Sequence, residues 1–115
     1  MTTAKSDVLH GTLDLMILKA LDSMGPLHGY AIARRIEQIS GQQLAINQGT
    51  IYPALVKLSH RSWIATKWGA SATGRRVKFY SITRKGQQQL HAEEKDWQRA
   101  ASIIERFFEL SRSQR

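Results

Sequence analysis

The chain has 115 residues and 42% hydrophobic content, the size of one compact domain able to bury roughly two-thirds of its unfolded surface without a staple. It contains no cysteine, which excludes disulfide scaffolds, thiol chemistry and thiolate zinc sites. Its formal net charge is +8 with a pI near 10.3, and the distribution of that charge is uneven. Residues 38–92 contain no Asp or Glu, whereas Lys57, Arg61, Lys67, Arg75, Arg76, Lys78, Arg84 and Lys85 fall within them. Elsewhere the two signs balance, so the whole excess lies in the middle of the chain, as expected for a polyanion partner. Residues 1–7 are polar, with no signal-peptide core, and Asp14 and Lys19 interrupt the first apolar run. A soluble, cytoplasmic protein without a membrane anchor is the expectation.

Leu13, Met16, Ile17, Ala20 and Leu21 recur at helical offsets and stop before the breaker Met24-Gly25-Pro26. A second stripe, Ile32, Ala33, Ile36 and Ile39, runs from about Gly29 to Ser40-Gly41, where glycine can close the helix. Leu44-Ala45-Ile46 offers at most a very short strand. A third helix buries Ile51, Leu55 and Leu58. Pro53 has no amide hydrogen and sits without penalty only in a first turn, which puts an undistorted start at Thr50. An earlier start capped by Asn47 requires a tight or irregular first turn. In either case Gln48, Gly49, Thr50 and Tyr52 crowd the amino end, where free amides suit a phosphate.

After His60 the period changes to two. Ile64, Thr66 and Trp68 alternate with Ala65 and Lys67, and Val77, Phe79 and Ser81 alternate with Lys78, Tyr80 and Ile82. The eight residues 69–76 between them make a long tip ending in Arg75 and Arg76. The pattern predicts a mostly α fold with a small β-hairpin: a winged helix-turn-helix over residues 8–83, whose third helix enters a DNA major groove while the hairpin straddles phosphates. A long helix over residues 84–111 follows, with flexible ends at 1–7 and 112–115.

Four strings in order carry a family likeness: Gly11-Thr12-Leu13-Asp14; His28-Gly29-Tyr30; Gly49-Thr50-Ile51-Tyr52-Pro53-Ala54-Leu55 with Leu58; and Gly74-Arg75-Arg76-Val77-Lys78-Phe79-Tyr80-Ser81-Ile82-Thr83 followed by Gly86. Together they resemble the PadR-like transcriptional regulators, bacterial repressors named for the control of phenolic acid decarboxylation. The resemblance implies a dimeric winged-helix repressor of the compact subtype, in which a single C-terminal helix mediates dimerisation. It also implies release of DNA by a small molecule; an aromatic effector would meet aromatic side chains at the dimer interface, where Trp97 is well placed. One departure stands out: the turn after the third helix usually carries glycine in this family, and here it is Arg61-Ser62-Trp63.

The last helix supports a dimer independently of the likeness. Trp97, Ala101, Ile104 and Phe108 form one stripe, and Ala100, Ile103, Phe107 and Leu110 a second beside it. That apolar width exceeds what one small domain needs and points to a partner helix from another copy. The DNA-binding candidates are Gln48, Gly49, Thr50, Tyr52 and Lys57 on the third helix and Arg75, Arg76 and Lys78 on the wing. Gln48 and Thr50 can bond base edges, Lys57 can reach phosphate, and Tyr52 either contacts DNA or packs. The wing cations suit phosphates or the minor groove. Gly69 and Gly74 are spaced as in a P-loop, but the Lys-Ser/Thr pair is missing and a strand follows, not a helix. His10, His28, His60 and His91 show no metal-ligand spacing. Neither an enzyme nor a metal or cofactor site is expected. The competing reading is a winged-helix module that binds protein or RNA and no operator DNA.

Overall fold

The computed structural model describes residues 12–113. The amino-terminal residues 1–7, His10 and Gly11 of the first motif lie outside the described residues, as do the last two residues of the chain. Helix α1 spans Leu13–Met24 and buries Leu13, Ile17, Leu18, Ala20 and Leu21. Gly25 ends it with φ 79° while its amide bonds the Leu21 carbonyl at 3.0 Å, a left-handed stop that suits glycine. Strand β1, Leu27–His28, leads directly into helix α2, Gly29–Ile39. His28 caps α2: its Nδ1 accepts the Ala31 amide at 3.3 Å.

The segment after α2 is not a strand. Gly41 and Gln42 both take positive φ, 69° and 64°, turning the chain so that Ile46 drops into the core at 7% exposure. Residues 44–46 pair with no strand, and side chains accept two of their amides instead: the Ser40 hydroxyl accepts that of Leu44 at 3.1 Å. Glu37, itself 8% exposed, accepts the Ile46 amide through Oε2 at 2.8 Å and pairs through Oε1 with Arg34 at 3.2 Å.

Helix α3 spans Gln48–His60, so it takes the earlier of the two possible starts. Asn47 makes this feasible: its Oδ1 accepts both the Thr50 amide, at 3.0 Å, and the Thr50 hydroxyl, at 3.1 Å, fixing the first turn. Pro53 therefore lies inside the helix. Its missing amide deprives only the exposed Gly49 carbonyl of a partner, on a side open to water. Ser62, in the turn that follows, has φ 62°, so serine occupies a left-handed position that favours glycine.

Strands β2, Ile64–Ala70, and β3, Arg76–Ile82, pair antiparallel from Ile64↔Ile82 to Ala70↔Arg76. The tip is thus five residues, 71–75, and shorter than the alternation indicated, because Gly69 and Ala70 continue the ladder. Gly74, with φ 83°, and the 2.8 Å bond from the Ser71 amide to the Arg75 carbonyl close it. The hairpin is not alone: β1 joins the other edge of β3 through Leu27↔Tyr80 and His28↔Phe79, giving the order β1-β3-β2. A two-residue strand between Pro26 and a helix has no period to read, which is why alternation missed it.

Helix α4, Arg84–Ser113, is about 45 Å long at 1.5 Å per residue and includes two of the residues expected in a flexible end. Thr83 caps it, its hydroxyl accepting the Gly86 amide at 3.0 Å and donating to the Ser62 carbonyl at 2.7 Å. The helix begins against α1, where Leu90 is buried and Gln87 Nε2 donates to Asp22 Oδ1 at 3.3 Å. From Lys95 to Leu110 every side chain is exposed. The core is aliphatic, centred on Ile17, Leu18, Leu21, Ile32, Ile36, Ile51, Leu55 and Leu58. Among the described residues no helix is long and apolar enough to cross a membrane.

Candidate nucleic-acid interface

The order helix, turn, helix, wing brings the amino end of α3, the amino end of α2 and the wing around one cleft of about 490 Å³. From α3 come Gln48 and Tyr52; from the β1–α2 junction His28, Gly29 and Tyr30; from the wing Ser71, Thr73, Arg75, Val77, Lys78 and Tyr80 among others. No carboxylate lines it, the spatial outcome of the acid-free stretch in the sequence. A groove with cations on one wall and an exposed helix amino end on the other suits an anionic chain laid through it.

The expected site residues divide into three groups. Gln48, Tyr52, Arg75 and Lys78 face the cleft. Gly49 and Thr50 stand beside them in the first turn of α3, exposed, with Thr50 bonded to its cap. Arg76 and Lys57 lie apart from the lining. The Arg76 guanidinium stands 4.8 Å from the Trp68 ring centre. The Lys57 ammonium is 2.7 Å from Asp14 Oδ2 on α1, so a phosphate contact by Lys57 would replace that ion pair.

Tyr52 is both packed and available. At 38% exposure, its ring lies over Gly29 so closely that a β-carbon there would come within 2.7 Å of Cε1. This is the physical reason for glycine in His28-Gly29-Tyr30: only a bare α-carbon lets the third helix lay its tyrosine across the start of the second. Burial, and secondarily the neighbouring Tyr52, push the Tyr80 hydroxyl above its ordinary value.

The cleft role of Tyr30 and the bond made by Glu37 were not legible in advance. Tyr30, 58% exposed, stacks on His28 at 6.4 Å and lies beneath the Arg34 guanidinium at 5.9 Å. It enters the cleft only because β1 pairs with β3. Glu37 and Asn47 touch no ligand surface but set where α3 begins; Asn47 had a cap signature, whereas the bond from Glu37 to a backbone nine residues on has no local signal. Among the described residues no group of three or more His, Cys, Asp or Glu could hold a metal ion.

On α4, the expected interface residues are open: Trp97 57%, Ile104 52%, Phe107 64% and Phe108 58% exposed, with Ala101 exposed between them. Trp97 also borders an open pocket of about 290 Å³ with Leu15, Glu93, Asp96 and Ala100.

Comparison with known proteins agrees with this architecture. Residues 17–92 match the model of the transcriptional regulator PadR-like family. An uncharacterised protein of Lysinibacillus sphaericus is 29% identical over 105 residues, covering 91% of this chain and 95% of its own. A transcriptional regulator of Clostridium thermocellum superposes with a TM-score of 0.79 at 27% identity, covering 89% of this chain and 98% of that one. Bacillus subtilis PadR, solved in complex with operator DNA, superposes with a TM-score of 0.61 at 32% identity over 75% of this chain and 47% of that one. The chain thus spans about half of that larger regulator. With the family model covering most of the winged helix and the start of α4, the chain belongs to the PadR-like family of transcriptional regulators.

Proposed function

We propose that this regulator is a repressor that binds operator DNA as a homodimer. The observation that carries the reading is the cleft between α3 and the wing, which is lined by Arg75 and Lys78 and by no acid. A sugar-phosphate strand passing through it leaves the amino end of α3, with Gln48, Gly49, Thr50 and Tyr52, in the major groove. Arg75, Arg76 and Lys78 then lie over phosphates or the adjacent minor groove. Lys57 joins them by exchanging Asp14 for a phosphate. Support comes from the relative crystallised with operator DNA.

Residues 8–83 are the DNA-binding part in this reading and residues 84–111 the dimerisation helix. The double apolar stripe of α4, with Trp97, Ala101, Ile104, Phe107 and Phe108 open to solvent, is too large an exposed patch for an isolated domain and is covered by the same helix of a second copy. Two heads related by a two-fold axis read an inverted repeat with half-sites about one helical turn apart. A planar aromatic effector resting on Trp97 releases the DNA by altering that interface.

Titration of duplexes from the gene's own upstream region tests this reading. Selective binding that weakens as salt rises is expected, together with a dimer in sedimentation. Preference for RNA, indifference to every duplex, or a stable monomer refutes it. Quenching of tryptophan emission by aromatic compounds, lost in Trp97→Ala, tests the effector; silence across a broad panel removes it.

A further inference from the structure

Trp68 lies on β2 with its indole 55% exposed, an unusual place for a large ring at the solvated end of a hairpin. Its direct cross-strand partner is Lys78, and two positions nearer the tip, past Gly69 and Val77, Ala70 pairs with Arg76. Alternation therefore puts Trp68, Lys78 and Arg76 on one face of the wing. Ala70 takes up little room opposite Arg76, so the guanidinium leans back diagonally over the indole, 4.8 Å from its centre. The Lys78 ammonium is 5.4 Å from the same ring.

Two cations gathered at one ring repel each other, and neither has a carboxylate partner among the described residues. The negative face of the indole is what offsets that repulsion. Arg75, one residue away in the cleft lining, is not among the cations over that ring.

We propose that Trp68 is a positioning residue: it holds Arg76 and Lys78 on one face of the wing in the free protein, so that both are already ordered when a phosphate strand arrives. Long cationic side chains lose rotamer freedom on binding, and a ring that has ordered them beforehand reduces that loss without touching the nucleic acid. The inference rests on the DNA-binding reading above.

The test is a comparison of Trp68→Leu and Trp68→Phe, alone and in an Arg76→Ala/Lys78→Ala background, with affinity for a mixed-sequence duplex measured across a salt series. Leucine keeps apolar bulk and removes the ring; phenylalanine keeps a ring. Trp68→Leu should bind about five- to tenfold more weakly and Trp68→Phe within about twofold of wild type. The slope of log affinity against log salt should stay constant in both, because no cation has been removed. In the doubly substituted background Trp68→Leu should change nothing further. An equal loss in that background, or failure of phenylalanine to rescue, overturns the proposal in favour of a purely structural role. A second measurement needs no DNA: the side-chain protons of Arg76 and Lys78 should show upfield ring-current shifts in the free protein that disappear in Trp68→Leu. Unshifted resonances overturn the proposal even if DNA binds. Wild-type protein that shows these shifts but binds no duplex refutes the DNA reading instead.

Discussion

Glu37 offers the sharpest test of how the fold sets the interface. Its carboxylate is buried and accepts the amide of Ile46 at 2.8 Å, one residue before the Asn47 cap of α3. Replacing it with alanine leaves that buried amide without an acceptor. A hydrogen bond to a charged group contributes about 1.5–3 kcal/mol, whereas the Arg34 ion pair, with its guanidinium half exposed, adds only about 0–1 kcal/mol. Glu37→Ala should therefore cost about 2 kcal/mol, a fall in Tm of about 8 °C for a domain of this size. Glu37→Gln retains an acceptor oxygen and loses only the charge, so it should cost about half as much. Thermal melts at one fixed protein concentration, which an oligomer requires, compare the three proteins. A Glu37→Ala variant as stable as wild type, or glutamine as damaging as alanine, would refute the idea that this single acceptor anchors the segment leading into α3.

Ser62→Gly should stabilise the protein by about 0.5 kcal/mol, because relief of a left-handed side chain, about 1–2 kcal/mol, exceeds the extra chain entropy of glycine; urea midpoints at unchanged slope would show it. Gly86→Ala should have the opposite and larger effect. A β-carbon there overlaps the Trp63 carbonyl and comes within 2.9 Å of Ile82 Cγ1, and backbone cannot step aside as a side-chain tip can, so a loss of about 3 kcal/mol is expected in the same melts. Asp14→Asn should cost about 0.5–1 kcal/mol of stability yet strengthen binding to duplex DNA at an unchanged salt slope, since Lys57 then reaches its phosphate without giving up the ion pair with Asp14. An unchanged affinity would place Lys57 outside the DNA footprint.

The helices were legible because each depends on a local pattern. The stripe of α1, the Ser40-Gly41 stop of α2 and the alternation of β2 and β3 are all set within a few residues of where they act. What escaped depends on pairing across the chain. Strand β1 exists because Leu27 and His28 meet Tyr80 and Phe79, more than fifty positions away, and no period is visible in two residues. The start of α3 shows two local rules in conflict: Pro53 favours Thr50, Asn47 favours Gln48. The cap prevails because it satisfies the Thr50 amide and hydroxyl together, while the group that proline strands, the Gly49 carbonyl, is one that water can serve.

The charge pattern behaves similarly. The acid-free run leaves the α3 and wing walls of the cleft without a carboxylate, because lining residues carry their composition with them; His28, Gly29 and Tyr30 complete the lining from outside that run. It does not reveal which cations are free. Lys57 is paired by an acid from outside the run, Asp14, which the packing of α1 on α3 brings to 2.7 Å. Arg76 and Lys78 are held by a ring, not by a charge. Counting cations thus measures the attraction toward a polyanion, but three of the interface candidates already have partners in the free protein, and their contribution to affinity is the difference between two contacts. The salt slope counts the phosphates engaged; the substitutions at Asp14 and Trp68 separate that count from what each cation gives up to make its contact.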